Sequence, residues 1–229
     1  MTDLAELLGR LARDPDFDAD ELQAHDATDA LLLETAAELI AGGLEVPAGT
    51  LVTIGDRHGA LTLGAAVHLG AQGIRSHQDP LLQERALAAN ASRLGLGGSF
   101  TQLPLDAALL RGARLVLVQL PRGLAALEEI AQSIARWADP AVVVLAGGRV
   151  KHMTRAMNEV LGRSFTEVRA GLAHRKSRVL RAAGIRPGVA TAAPTFPLRG
   201  SDADVSFPLF AFGATFGGPT LDHGSRLLL

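Results

Sequence analysis

The residues best placed to do chemistry lie in Leu51-Val52-Thr53-Ile54-Gly55-Asp56-Arg57-His58-Gly59, where an apolar strand runs into a glycine-flanked turn and then a small-residue helix. That outline is the one a nucleotide cofactor needs: glycines let backbone N–H groups approach the ligand at a helix N-terminus. The middle position of the turn, however, carries Arg57, so Gly55, Asp56, Arg57 and Gly59 form a degenerate loop. Either the arginine occludes a ligand there, or its guanidinium meets a phosphate, as arginines do in some dinucleotide sites. His58 is a weak candidate base, because Asp56 is the only carboxylate near it in sequence; it is expected in a turn or at the surface. His152, His174 and His223 have no metal-ligand spacing, and Ser177 sits on no nucleophile elbow, so no metal is expected.

Charge provides a second candidate site. Met1 to Glu38 holds eleven acids, among them Asp3, Asp16, Asp18, Asp20, Asp26 and Asp29, against Arg10 and Arg13. Arg149 to Arg186 holds ten bases against Glu159 and Glu167. A basic stretch inside a globular domain is either a solvated face with i,i+4 pairs or the footprint of a phosphate backbone. Guanidinium groups match phosphate geometry, which makes Arg149, Lys151, Arg155, Arg175, Lys176 and Arg178 the candidate nucleic-acid contacts.

These groups need a scaffold. The chain of 229 residues is 48% apolar and 20% charged, ordinary for a folded domain. It has no cysteine, which excludes disulfides, thiolate catalysis and Cys-ligated metals. No apolar run approaches the roughly 20 residues of a membrane span, and Met1-Thr2-Asp3-Leu4 does not open a signal peptide, so the cytoplasm is the expected compartment.

Apolar periodicity predicts helices from Leu4 to Leu11 and from Thr28 to Ile40, the second capped by Asp26 and stopped by Gly42-Gly43. Strands then alternate with helices: strand 50–54, helix 60–70, strand 72–77, helix 80–95, strand 99–103, strand 114–119, helix 123–138, strand 141–146 and helix 153–162. Asp79-Pro80 is the expected start of the fourth helix, and Trp137 is expected in the core. Strands 165–171 and 176–182 have no helix between them and should pair antiparallel at one edge of a mostly parallel α/β sheet. Pro187, Gly188, Pro194 and Pro197 make a linker over 186–200. Residues 201–229 are too short for a core of their own, yet Phe207, Phe210, Phe212 and Phe216 lie there and call for a partner surface.

The order of elements resembles a class I S-adenosylmethionine-dependent methyltransferase, a Rossmann-like fold with a seven-stranded, mostly parallel sheet and an antiparallel last strand. More narrowly, residues 25–229 are similar to the N-terminal half of the bacterial ribosomal RNA guanine-N2 methyltransferases, in their G-type form acting on the large half of the ribosome and in their C-type form acting on the small one. The residues that carry this are Asp56-Arg57-His58-Gly59-Ala60-Leu61-Thr62, Glu84 to Leu96 with Asn90 and Gly95, and Val118-Gln119-Leu120-Pro121-Arg122-Gly123. Ala146-Gly147-Gly148-Arg149-Val150-Lys151, His174-Arg175-Lys176-Ser177-Arg178 and Phe216-Gly217-Gly218-Pro219-Thr220-Leu221-Asp222-His223-Gly224-Ser225-Arg226 complete the set.

The resemblance implies that residues 1–185 are a duplicated methyltransferase domain that has lost its donor site and holds ribosomal RNA. Residues 201–229 would begin a second, catalytic domain that binds S-adenosylmethionine. The family's strand acid falls on Thr53, its ribose-binding carboxylate on Gln78, and its Asn-Pro-Pro-aromatic turn on Gln119-Leu120-Pro121-Arg122, where only Pro121 remains. Two rivals stay open: a small-molecule methyltransferase or nucleotide-binding enzyme with an atypical loop, and a protein-interaction module built on the Phe-rich tail.

Overall fold

The computed structural model describes residues 4–17, 19 and 21–228. Asp3, Asp18 and Asp20 of the acidic end, and the terminal Met1, Thr2 and Leu229, lie outside the described residues.

Seven strands form one sheet: β1 (Leu51–Ile54), β2 (Ile74–His77), β3 (Phe100–Gln102), β4 (Leu115–Gln119), β5 (Val143–Arg149), β6 (Phe165–Ala170) and β7 (Ser177–Ile185). Their order is β3-β2-β1-β4-β5-β7-β6. The first five run parallel, while β7 lies antiparallel between β5 and β6. β1 and β4 read as near-continuous apolar runs because they are covered on both faces.

On one face α1 (Leu4–Gly9), α2 (Ala27–Ala41) and α3 (Ala60–His68) bury Leu8, Leu32, Leu33 and Leu61 against Leu51, Leu115, Leu117 and Leu145. On the other, α5 (Ala107–Leu110), α6 (Leu124–Trp137) and α7 (Arg155–Ser164) bury Leu109, Leu127, Ile134 and Leu161 against Val52, Val116, Val144 and Leu180. α4 (Leu81–Leu94) packs on α3 through Leu87 and Leu63.

The sequence-based elements of the sheet domain are recovered with ends shifted by a few residues; the short α5, capped by Asp106, and a strand over 198–200, inside the expected linker, are additional. Two details differ from expectation. α4 starts at Leu81 with Pro80, not Asp79, at the N-cap position, and Pro80 makes no side-chain capping bond. Trp137, the last residue of α6, is 39% exposed, because a helix terminus gives it less cover; the Arg136 guanidinium lies 6.0 Å from its ring centroid.

Beyond β7, β8 (Leu198–Gly200) pairs antiparallel with β9 (Leu209–Ala211), and α8 (His223–Arg226) is capped by Asp222. This tail touches the sheet domain where the Gly213 N–H donates to Glu129 Oε2 at 2.6 Å. Phe196 is buried, while Phe207, Phe210, Phe212 and Phe216 are exposed.

The segment before α2 is fastened by one amide. Asn90 on α4 donates to the carbonyls of Ala12 at 2.8 Å and His58 at 2.6 Å, and its oxygen accepts the Ala12 N–H at 2.9 Å. Asn90 is 1% exposed, so its loss strands buried polar groups on two segments at once. Asn90→Ala is expected to destabilise the fold by about 2–4 kcal/mol in chemical denaturation and to expose residues 4–25 to limited proteolysis.

Candidate functional site

The turn after β1 is closed by its own side chain. The Asp56 carboxylate accepts the Gly59 N–H at 3.1 Å and the Thr62 N–H at 2.7 Å, so it takes the α3 N–H groups that a bound anion would otherwise use. Asp56 is 1% exposed. Burial pushes its carboxyl above the usual range, against these N–H donors, which favour the charged form.

Gly59 caps α3 at φ +98°, and a Cβ there would meet Leu87 Cδ1 at 2.9 Å and Leu63 Cδ1 at 3.1 Å. The glycine therefore serves the turn and the α3–α4 contact. Arg57, expected to occlude the site, is exposed at its rim; the group lying across the loop's N–H donors is the Asp56 side chain. The Gln78 amide donates to the Asp56 carbonyl, and Thr53, Thr62 and Ser76 form a buried hydroxyl chain with contacts of 2.7 and 3.3 Å.

His58 also departs from expectation. It is 4% exposed, its Nδ1 lies 3.2 Å from the Ala24 carbonyl, and its Nε2 lies 2.9 Å from Asp16 Oδ2. Asp16 also binds Arg13 at 3.0 Å, and the His58 contact is the main cause holding its carboxyl below the usual range. Sequence reasoning missed this partner because it is 42 residues away and reaches His58 only when the N-terminal segment folds over the loop.

Next to the closed turn, at the C-terminal ends of β1, β4 and β5, lies a cavity of about 310 Å³. Its lining includes Asp29, Arg57, Gln119, Arg122, Arg149 and Lys151. α2 reaches it because Gly147 on β5 leaves room: a Cβ there would meet Leu32 Cγ and Thr28 Cγ2, each at 2.8 Å. The capping box of α2, Asp26 with Asp29, then sets Asp29 beside β4, where its Oδ1 accepts from Gln119 Nε2 at 2.5 Å. Burial, and then the neighbouring Asp56 charge, push Asp29 up to about 7.

The basic candidates divide. Arg149 and Lys151 line the cavity, while Arg155 starts α7. Arg178 alternates onto the face of Leu180 and Ala182, opposite the face of Ser177 and Val179, with which Arg149 is in register. Arg175 and Lys176 form the two-residue tip of the β6–β7 connection, closed by His174 and Ser177 bonds of 2.8 Å. Both tip residues have positive φ, 46° and 64°, a conformation that side chains other than Gly and Asn rarely adopt. Two consecutive cations are thus held out in a strained turn. The sequence reading did not single out Asp29 as more than part of an acidic helix start, or Arg122 as a contact; a cation directly after a strand end was the available signal for the second.

Among the described residues no group of three or more His, Cys, Asp or Glu side chains is arranged to hold a metal, and no helix is long and apolar enough to cross a membrane.

Comparison with known proteins agrees with this architecture. The family described as RLMG N-terminal domain matches residues 2–185. The chain belongs to that family. A ribosomal RNA large subunit methyltransferase G of Pseudomonas syringae pv. syringae (strain B728a) is 31% identical over 220 residues, covering 96% of this chain and 56% of the relative. The protein of that name from Pseudomonas aeruginosa (strain UCBPP-PA14) is 35% identical over 187 residues, covering 81% of this chain and 48% of the relative. The chain thus spans about half the length of the curated relatives it matches.

Among solved structures, the Thermus thermophilus 16S rRNA N2 G1207 methyltransferase in complex with AdoMet and guanosine matches with a TM-score of 0.62 at 14% identity, over 89% of this chain and 51% of that one. A putative RNA methyltransferase from Pyrococcus horikoshii matches with a TM-score of 0.57 at 17% identity, over 82% and 98%. These two bear out the Rossmann-like methyltransferase fold.

Two outcomes follow for the site. Asp29 takes up its proton near pH 7 when folded and near its ordinary value of 3.8 when unfolded, so the native state binds more protons between these values and its contribution to stability falls as pH rises through them. Asp29→Asn is expected to gain stability relative to the parent as pH rises from about 4 to 7, by a few kcal/mol at most, read from urea denaturation across that range. Lys176→Gly relieves one strained tip residue and is expected to raise the unfolding free energy by roughly 1 kcal/mol in the same measurement.

Proposed function

We propose that this chain is the RNA-recognition half of an S-adenosylmethionine-dependent ribosomal RNA guanine-N2 methyltransferase, with methyl transfer performed by a following catalytic domain. The observation that carries it is the basic rim at the C-terminal end of the sheet. Arg149, Lys151, Arg155, Arg175 and Lys176 are free of ion pairs among the described residues, as is Arg178 on the opposite face, and unpaired cations gathered at one end of the sheet support an external partner. A polyanion of fixed phosphate spacing is the partner such a surface suits. The names of the relatives make ribosomal RNA the natural one, and a cytoplasmic location goes with it. Strain at Arg175 and Lys176 supports the same reading, since a turn selected for stability alone would carry glycine or asparagine there.

In this reading the chain itself holds no cofactor. Its residues do not fit S-adenosylmethionine, because Asp56 takes the N–H groups of the turn, the Gln78 amide is bound to a backbone carbonyl, and the Thr53 and Ser76 hydroxyls belong to a buried chain. The exposed phenylalanines of the tail are the surface offered to the catalytic domain.

The test is charge reversal. The Arg149→Glu, Lys151→Glu, Lys176→Glu triple variant is expected to weaken binding to a ribosomal RNA fragment by tenfold or more at low salt and to flatten the dependence of log K on log salt by about 2–3. Unchanged affinity and slope would remove the docking role. Calorimetry of the parent chain with S-adenosylmethionine is expected to show no binding, and a micromolar affinity would instead favour an enzyme working through this domain.

A further inference from the structure

The cavity beside the closed turn combines three chemistries that the docking role does not require. Its rim carries Arg122, Arg149 and Lys151, which suit a phosphate. Its lining includes Leu120, Met153 and Met157, and thioether and branched apolar groups pack well on flat aromatic rings. It also contains a fixed polar pair. Asp29, 6% exposed, holds Gln119 through Nε2, and among the described residues the Gln119 amide oxygen and second N–H have no partner. An amide held in one orientation with a free donor and a free acceptor is the complement of a nucleobase edge. At about 310 Å³ the cavity lies at the small end of ligand sites, the scale of one nucleotide and not of a duplex.

We infer that this cavity receives one unpaired nucleotide of the bound RNA, its phosphate on Arg122, Arg149 and Lys151 and its base against Gln119. The inference rests on the RNA-docking reading and specifies what that surface recognises. The shared chemistry is a nucleoside monophosphate unit. Its source is the RNA strand, because Arg149 and Lys151 belong both to the cavity and to the rim that tracks the backbone. A paired base buries the edge that Gln119 would read, so the nucleotide must come from a bulge, loop or end. The site that is closed to a cofactor thus reads RNA structure, selecting a position where one base is already free.

Fluorescence anisotropy with the 229-residue chain and three RNA hairpins tests this: one fully paired, one with a single-nucleotide bulge, and one with an abasic bulge. The bulged RNA is expected to bind at least about tenfold tighter than the paired one, with the abasic bulge losing that gain. In Gln119→Ala, and separately in Arg122→Ala, the ratio of bulged to paired affinity is expected to fall towards one. Arg122 is exposed, so its variant keeps the test valid if loss of the Gln119 bond to Asp29 harms folding. Equal affinity for bulged and paired RNA, or full affinity for the abasic bulge, overturns the pocket while leaving RNA docking intact. Micromolar binding of free guanosine monophosphate with no preference for bulged RNA also overturns it, in favour of a small-molecule site. Absence of any salt-dependent RNA binding overturns the docking reading as well.

Discussion

The Asp56 carboxylate, buried on the Gly59 and Thr62 N–H groups, is the constraint around which the rest of the structure is arranged. A charge in that position costs desolvation, offset by charge-assisted bonds to the helix N-terminus. With those donors used internally, the β1–α3 turn becomes part of the core. Asn90 and Gln78 bond to the backbone of the same turn, at His58 and Asp56. Asp16 and Ala24 hold the His58 ring from above. The segment before α2 is therefore a cover for the turn, and the acidic end supplies Asp16, the carboxylate that meets His58.

Closing the turn changes the electrostatics beside it. Burial disfavours the charged form of Asp29, and the nearby Asp56 carboxylate adds to this, so Asp29 is pushed up to about 7. Protonation of Asp29 weakens the negative field beside the cavity, whose lining sets Arg57, Arg122, Arg149 and Lys151 against Asp26 and Asp56. Topology does the rest. β7 returns antiparallel between β5 and β6, bringing Ser177 into register with Arg149 and setting the Arg175-Lys176 tip at the same end of the sheet.

Much of this was legible from residue order. The near-continuous apolar strands, the helix-stopping glycines and the helix-free gap between the last two sheet strands fixed the alternation, the parallel core and the antiparallel edge, because burial on both faces and short connections leave few alternatives. Equally plain were Thr53, Arg57 and Gln78, which differ from the donor-site residues that the resemblance implies at those positions. Less visible was what takes the N–H groups of the turn. Arg57 was the conspicuous intruder, yet the aspartate one residue earlier closes the loop, because its short side chain can fold back on the helix N-terminus while the arginine extends to solvent. The basic stretch likewise read as one surface, although alternation along β7 sends Arg178 to the face opposite Arg149.

Local spacing alone determined the class of fold, the inventory of charged groups and the absence of thiol chemistry, since periodicity, caps and composition are properties of neighbours along the chain. Only the tertiary structure decided which groups meet. His58 with Asp16, Asn90 with Ala12, Gln119 with Asp29 and Thr28 with Ser177 join positions from 42 to 149 residues apart. Each is a short-range bond whose partners come within reach only after the sheet and helices have packed, so no pattern along the sequence encodes it.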